Sequence, residues 1–316
     1  MFALCLESSH KKGMGHLFRA LNFIECLRAN NEACVVFINN DEPACEILGS
    51  KGVRFEIVDL ADTASGWETP LIRNYGVTVW INDRLDTELI HAKRVKESGV
   101  KLVTLDDGGD GASLSDINVA ALQFGCEEEI KGKTVLAGIE YLILNKEIKK
   151  YRRLRKKAEK LLVTLGGSDT YGVTAKVVEI LKRLGKSATV HIGPSFAHQR
   201  ELSEASSGGD FNVIGRVPSL LEIFYSYDLA VTGGGMTPFE ANASGLPCVI
   251  VANETFEVKN GRFLESIGSS LFAGFHEEIN ESVFEKEPAV ERMSSIGLSN
   301  IPLDGAEKVY GRIKEL

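Results

Sequence analysis

Residues 228–251 have the sequence DLAVTGGGMTPFEANASGLPCVIV, and this stretch decides the fold. Its two apolar, β-branched runs, DLAVT and PCVIV, predict buried strands. Between them, Thr237 and Pro238 suit the cap and the first turn of a helix. Continuous apolar strands that alternate with helices are typical of a parallel sheet covered on both faces.

The same alternation extends through most of the chain. Strands are predicted at 2–7, 33–39, 55–60, 77–83 and 101–107, and again at 160–167, 187–193, 211–215, 228–235 and 247–251. Helices are predicted at 16–30, 43–52 and 306–316. Because 316 residues exceed what one hydrophobic core usually holds, we expect an α/β protein with two Rossmann-like domains. Their parallel sheets should face each other across a cleft, with ligands at the carboxyl ends of the strands.

A basic stretch, KEIKKYRRLRKKAEK at 146–160, lies between the two arrays and carries nine Lys or Arg residues. It predicts either a solvated linker helix or a contact with an anionic membrane surface. We expect an N-terminal domain for the sugar or acceptor at 1–148 and a nucleotide-binding domain at 149–303. The C-terminal helix at 304–316 is expected to pack back on the N-terminal domain.

Composition excludes several classes of protein. The net charge of −8 argues against a nucleic-acid-binding protein, because phosphate backbones require a basic surface. The six cysteines form no CxxC pair, and no run of about 18 apolar residues occurs. We therefore expect a cytoplasmic protein, monomeric or homodimeric, without a transmembrane segment, structural metal or cofactor. Asp106 and Asp107 are adjacent on a strand end, so their carboxylates should point in different directions, which suits a metal ion poorly.

The sequence GMGHLFR at 13–19 follows the first predicted strand. Gly13 and Gly15 allow a ligand to approach the backbone closely, and His16 falls at the start of a helix. His16 is thus a candidate general base or phosphate ligand, and Arg19, one turn further on, is a candidate substrate-binding residue. The alternative is a glycine turn with an incidental histidine.

The sequence VTGGGMTPFEA at 231–241 contains three consecutive glycines after a strand. Gly233, Gly234, Gly235, Met236 and Thr237 would present backbone amides to a diphosphate. Glu240, one turn into the helix, would accept hydrogen bonds from ribose hydroxyls. The alternative is tight packing between helix and sheet, with Glu240 as a favourable acid of the first turn.

Further candidates stand at other strand ends. Gly167, Ser168 and Asp169 lie in the turn LGGSDTYG, where Asp169 is a candidate ligand residue or, alternatively, the cap of the helix near residue 173. Glu254, Glu257 and Asn260 in NETFEVKNGR are candidates to contact a sugar, and Asp83 in NDRLDT is expected to line the cleft. Because the densest glycine loop lies in the C-terminal half, we expect uracil near Gly193 and Arg216.

Taken together, these motifs resemble a known family. GxGHxxR near the N-terminus, LGGSD in the middle and GGGxTxxE before GLP are similar to the GT-B-fold UDP-sugar hydrolase of pseudaminic acid biosynthesis. They also resemble the related spore-coat polysaccharide biosynthesis proteins and, more distantly, the peptidoglycan N-acetylglucosaminyltransferase. GIEYLIL at 138–144 fits the same family, and the resemblance covers nearly the whole chain.

The resemblance implies that His16 activates water and that Gly233, Gly234, Gly235 and Glu240 hold the diphosphate and ribose. It implies that Gly167, Ser168 and Asp169 border the cleft. Two motifs depart from the hydrolase: Asn82-Asp83-Arg84 replaces an aspartate–histidine–tyrosine turn, and Thr255-Phe256-Glu257 replaces its ENQ motif. We therefore expect a UDP-sugar hydrolase of surface-polysaccharide or nonulosonic-acid biosynthesis. The alternatives are a glycosyltransferase with a UDP-sugar donor and a non-catalytic protein that binds nucleotide sugars.

Overall fold

The computed structural model describes residues 1–8, 14–124, 129–167, 169–193, 195–215, 217 and 219–316. They form two compact units, residues 1–144 with 304–316 and residues 145–303. The expected boundary after residue 148 falls inside the 3-10 helix Lys146–Tyr151, which belongs to the second unit. Within the described residues, no helix has both the length and the hydropathy that crossing a bilayer requires.

A parallel sheet forms the centre of the first unit and has seven strands in the part of the chain that the structure describes. The strands are β1 (Phe2–Leu6), β2 (Cys34–Ile38), β3 (Phe55–Ile57), β4 (Val79–Asp83), β5 (Lys101–Leu105), β6 (Ile117–Ala120) and β7 (Val135–Ala137). Their order is β3-β2-β1-β4-β5-β6-β7. The chain changes direction across the sheet between β1 and β4, which is the point where doubly wound sheets bind ligands. Leu6 pairs with Asp83 there, so the carboxyl ends of both strands are level.

Helices cover both faces of this sheet. They are α1 (Gly15–Ala29), α2 (Glu42–Ser50), α3 (Glu68–Tyr75) and α4 (Leu89–Glu97), with 3-10 turns at Asp110–Leu114 and Ile139–Tyr141. The last helix of the chain, Gly305–Lys314, also belongs to this unit, where Tyr310 donates a 3.0 Å hydrogen bond to Glu32. Trp80 and Phe37 stack at the centre of the core on one face.

The second unit is built on a parallel sheet with six strands among the described residues. These are β8 (Leu161–Thr164), β9 (Ala188–His191), β10 (Phe211–Ile214), β11 (Leu229–Thr232), β12 (Cys248–Ala252) and β13 (Ser270–Phe275). The order β10-β9-β8-β11-β12-β13 repeats the Rossmann pattern, with the change of direction between β8 and β11. Its helices are α5 (Val173–Arg183), α6 (Gln199–Ser206), α7 (Leu220–Phe224), α8 (Thr237–Ala243), α9 (Thr255–Ser266), α10 (Ser282–Glu285) and α11 (Val290–Asn300), which makes the helix Gly305–Lys314 α12.

The predicted α/β class with two parallel sheets is confirmed, and all ten predicted strands are present. Three strands were not predicted: β6, β7 and β13. β7 has only three residues, Asn118 interrupts the apolar pattern of β6, and β13 contains Gly274 at φ +99°, so none shows a continuous β-branched run. The predicted linker helix over 146–160 is wrong. After the 3-10 helix the chain is not helical, because Arg153 and Arg155 draw it onto the second unit through hydrogen bonds to main-chain carbonyls.

Candidate functional site

His16 and Asp83 form a hydrogen-bonded pair at the change of direction in the first sheet. His16 lies in the first turn of α1, directly after β1, and Asp83 is the last residue of β4. Nδ1 of His16 lies 2.5 Å from Oδ1 of Asp83, and the histidine side chain keeps 17% of its surface exposed. An ionised carboxylate only accepts hydrogen bonds, so Nδ1 carries the proton and Nε2 of the neutral ring has the lone pair. His16 can therefore accept a proton through Nε2.

Arg19 holds Asp83 from the other side. Its Nε donates to Oδ2 of Asp83 at 2.8 Å, its Nη2 donates to Oδ1, and its Nη1 donates to Oδ2 of Asp106 at 2.5 Å. Burial raises the pKa of Asp83, but the charges and hydrogen bonds of Arg19 and then His16 outweigh burial and place this pKa below its usual range. Asp83 is therefore an anion with a fixed orientation. Sequence analysis predicted Arg19 and Asp83 as substrate-binding residues; the structure places both beside His16, buried and bonded to each other.

The two adjacent aspartates after β5 diverge, as expected for neighbouring residues. Asp106, at φ +50°, bonds Arg19 and accepts from the amide of Leu122 at 2.8 Å. Asp107 accepts from the hydroxyl of Thr87 and from the amide of Gly109. Sequence analysis considered Asp106 only as a metal ligand and so missed its bond to Arg19. Its position at a strand end next to β4 was the available signal.

Asn82 is a buried anchor of the turn. Its Oδ1 accepts from Nε1 of Trp80 at 2.8 Å, and its Nδ2 donates to Thr87 at 3.1 Å. The indole N–H is only a donor, which settles the orientation of the amide. Nε2 of His91 lies 3.2 Å from the same oxygen, and Nδ1 of His91 lies 2.9 Å from Oε1 of Glu68. These bonds position the strand end that carries Asp83.

In the second unit, the glycine loop 233–235 connects β11 to α8 and packs against α9. A Cβ on Gly234 would lie 2.7 Å from Cβ of Glu257, so the close approach of the two elements requires glycine there. The amide of Gly234 donates to Oε2 of Glu257 at 3.1 Å, and the amide of Asn253 donates to the same oxygen at 2.8 Å. The predicted packing role thus applies to Gly234. Glu257, predicted to contact a sugar, has this oxygen bound to the protein backbone.

Several hydrogen-bond acceptors around this loop have no partner within the described residues. Asn260 donates from Nδ2 to the carbonyl of Gly234 at 2.9 Å, but its buried Oδ1 accepts nothing. Oδ1 of Asn253 is also buried and accepts no hydrogen bond from the described residues. Glu240 lies in the first turn of α8, which Met236 caps and Thr237 begins, and burial raises the pKa of Glu240 to about 7. Unpaired buried acceptors favour a ligand that supplies hydroxyl or N–H donors.

The turn after β8 has a largely structural role. Asp169, at φ +44°, accepts from the amides of Val173 and Thr174 at 2.8 Å each and so caps α5, which was the predicted alternative. Gly193 packs on this turn, since a Cβ there would lie 2.3 Å from the carbonyl oxygen of Gly167. Tyr171, which sequence analysis missed, stacks on His276 with centroids 4.1 Å apart and donates to Glu254 at 3.1 Å.

Three of the predicted residues, Gly13, Ser168 and Arg216, lie outside the described residues. Gly15 begins α1, and a Cβ there would meet no atom within 4 Å. The structure therefore brings His16, Arg19 and Asp83 together in the first unit. In the second unit it brings the glycine loop together with Glu257 and Asn260.

No family model matches the chain. Over 79% of its length the chain is 27% identical to an uncharacterized protein of Methanocaldococcus jannaschii, and the match spans about half, 55%, of that relative. Over 94% of its length it is 22% identical to the spore coat polysaccharide biosynthesis protein SpsG of Bacillus subtilis, of which 88% is covered. The predicted similarity to spore-coat polysaccharide proteins is thus confirmed. Similarity to the hydrolase of pseudaminic acid biosynthesis stays a prediction.

Solved structures show the same fold. MurG of Acinetobacter baumannii has a TM-score of 0.73 at 13% identity, with 100% of this chain and 99% of MurG covered. The UDP-GlcNAc 2-epimerase of Neisseria meningitidis, bound to UDP-GlcNAc, has a TM-score of 0.62 at 11% identity and full coverage of both chains. At such identities the likeness establishes the fold alone, two Rossmann-like domains of the GT-B class.

Proposed function

We propose that the protein is an enzyme of polysaccharide biosynthesis that uses a UDP-sugar and transfers the sugar to a hydroxyl acceptor. The observation that carries this proposal is the His16–Asp83 pair, which leaves Nε2 of His16 as a proton acceptor. The names of two similar proteins support the substrate class. SpsG is a polysaccharide biosynthesis protein, and the epimerase was solved with UDP-GlcNAc.

The second unit binds the nucleotide in this proposal. Its unpaired acceptors, Oδ1 of Asn253 and Oδ1 of Asn260, together with the carboxylate of Glu240, suit the hydroxyls of ribose and the N–H of uracil. The amide of Gly234 is bonded to Glu257, so the diphosphate binds the amides of Gly235, Met236 and Thr237 instead. Uracil lies toward Gly193, as expected from the sequence.

The chemistry needs one proton acceptor. Nε2 of His16 takes the proton of the acceptor hydroxyl. As it does so, the oxygen of that hydroxyl attacks the anomeric carbon of the sugar. The bond from that carbon to the diphosphate oxygen breaks, and UDP leaves with the electron pair. Asp83, held ionised by Arg19, stabilises the imidazolium that forms. The backbone amides at the start of α8 stabilise the charge that develops on UDP.

Hydrolysis is the second candidate, and the motif resemblance favours it. With water as the nucleophile, the same residues would release UDP and free sugar. Purified protein is therefore incubated with UDP-GlcNAc, with and without a panel of sugar and lipid-linked hydroxyl acceptors. Release of UDP only with an acceptor supports transfer, and equal release of UDP and sugar without one supports hydrolysis. UDP binding by calorimetry without any turnover contradicts both and indicates a binding protein.

A further inference from the structure

Residues 152–160 form an exposed strip on the second unit. Along its first four residues the side chains alternate: Arg152 and Leu154 are exposed, whereas Arg153 is half-buried and Arg155 is fully buried. This period of two places the even-numbered side chains on one outward face. From Lys156 to Lys160 every residue is exposed.

The arginines of the strip attach it to the unit. Arg155 donates to the carbonyls of Phe224 at 2.8 Å and of Tyr227 at 3.3 Å, and also to that of Ser244. Arg153 donates to the carbonyl of Tyr225 at 2.7 Å and pairs with Asp228 at 2.8 Å. Because these bonds fix the backbone, the outward face of the strip is preformed.

The lysines have no such partners. Lys149, Lys156, Lys157 and Lys160 are exposed, and none forms an ion pair among the residues that the structure describes. Residues 146–160 contain nine basic residues and two acidic ones, Glu147 and Glu159, and so carry +7. The whole chain carries −8, so the remainder carries −15. Positive charge is thus concentrated on residues 146–160, which include the strip.

Two large apolar side chains are exposed on the strip or beside it. Leu154 is 42% exposed on the outward face, and Tyr225 is 50% exposed. The guanidinium carbon of Arg153 lies 5.6 Å from the centre of the Tyr225 ring, which places Tyr225 beside the strip. A leucine and a tyrosine among lysines are typical of side chains that enter the boundary between lipid headgroups and acyl chains.

We infer that Leu154, Lys156, Lys157 and Lys160 of this strip, together with Lys149 and Tyr225, bind the surface of an anionic phospholipid bilayer. Arginine forks recognise single phosphates, but Arg152, Arg153 and Arg155 are each bonded to main-chain carbonyls. The lysines are point charges, which suit a diffuse negative surface. The exposed Leu154 and Tyr225 can enter the acyl-chain boundary of a bilayer, and the phosphate backbone of a nucleic acid offers them no such apolar contact. This inference does not depend on the proposed function.

Sedimentation with vesicles tests the inference. The full-length protein should sediment with vesicles of phosphatidylcholine that contain phosphatidylglycerol and not with phosphatidylcholine alone. Replacement of Lys149, Lys156, Lys157 and Lys160 by Gln should lower partitioning by more than about 100-fold, since each lysine near an anionic surface contributes roughly a factor of five. Leu154→Ser should lower it by about tenfold through lost apolar burial. About 1 M salt should abolish it.

Matched variants separate position from net charge. Replacement of the exposed Lys51, Lys93, Lys101 and Lys286 by Gln changes the net charge equally and should leave partitioning unchanged. Val213→Ser, at a residue 43% exposed on β10, is the control for Leu154. Equal losses in both lysine sets, or no dependence on phosphatidylglycerol, would overturn the inference. Binding that RNA competes away and that Leu154→Ser does not change identifies a general polyanion site and overturns it too.

Discussion

Nδ1 of His16 and Oδ1 of Asp83 meet at 2.5 Å, although the two residues are 67 positions apart in the chain. The same carboxylate receives Nε and Nη2 of Arg19, so one buried anion orients the histidine and is itself held by the arginine. This relationship gives Nε2 of His16 a defined role, and the first two predictions below test it.

Replacing the proposed base should remove turnover and keep nucleotide binding. We expect His16→Asn to lower the turnover rate by about 10²–10⁴-fold, the usual contribution of a positioned proton acceptor. The affinity for UDP should change little, because the proposed nucleotide ligands belong to the second unit. Turnover assays and calorimetry with UDP measure the two effects. Weaker UDP binding with normal turnover would make His16 a phosphate ligand instead.

Asp83 and Asp106 both bind Arg19, yet only Asp83 contacts His16. Asp83→Asn and Asp106→Asn should each lower the free energy of unfolding by about 1–3 kcal/mol, since each weakens a buried charge-assisted hydrogen bond. Asp83→Asn should also lower turnover by about 10²-fold and shift its pH profile, because the histidine loses its anionic partner. If the folded Asp106→Asn protein shows the same kinetic loss, Asp83 has no specific role in orienting His16.

Glu240 is proposed to bind ribose hydroxyls. Glu240→Ala should weaken UDP binding by about 1–3 kcal/mol, the range for a hydrogen bond to a charged group. The control is 2′-deoxyuridine diphosphate, which lacks one hydroxyl. If Glu240 binds that hydroxyl, the original protein should bind the deoxy ligand more weakly than UDP. The Glu240→Ala variant should bind the two ligands with equal affinity. Unchanged UDP affinity in the variant would exclude this role.

Glu240 should also make the free energy of unfolding depend on pH. Burial raises the pKa of Glu240 from 4.5 to about 7, so between these values the folded protein holds a proton that the unfolded chain has lost. Stability is therefore expected to fall as the pH rises through this window, by up to about 3 kcal/mol. Urea unfolding of the original protein and of Glu240→Gln, from pH 4.5 to 8, measures it. The variant should lack this decline; identical slopes would contradict the assignment.

Turnover should persist in EDTA. The two carboxylate oxygens of Asp106 are bonded to Arg19 and to the amide of Leu122. Those of Asp107 are bonded to Thr87 and to the amide of Gly109. Backbone amides at the start of α8 are proposed to stabilise the leaving diphosphate. The rate with UDP-GlcNAc is compared before and after dialysis against EDTA. A rate that EDTA abolishes and magnesium restores would show that a divalent cation takes part.

Local sequence pattern predicted the strands whose runs are continuous and apolar, and the glycine turns between strand and helix. It also placed His16 at the start of α1, because that position follows from β1 and two glycines alone. These features depend on neighbours within a few residues, which a single sequence displays directly. Strands β6 and β7 were not predicted, because their sequence pattern is weak and their stability comes from the strands beside them.

The tertiary structure alone decided which polar residues meet. Arg19 bonds partners 64 and 87 positions away, and Glu257 bonds the amide of Gly234 across 23 positions. Sequence analysis assigned Arg19 to the substrate as part of the GMGHLFR motif, and Glu257 because it follows a strand end. Hydrogen bonds of this kind depend on the order of strands in the sheet and on the depth of burial. Neither is encoded in local periodicity, so the roles of His16 and Asp83 became specific only once the sheet placed β1 beside β4.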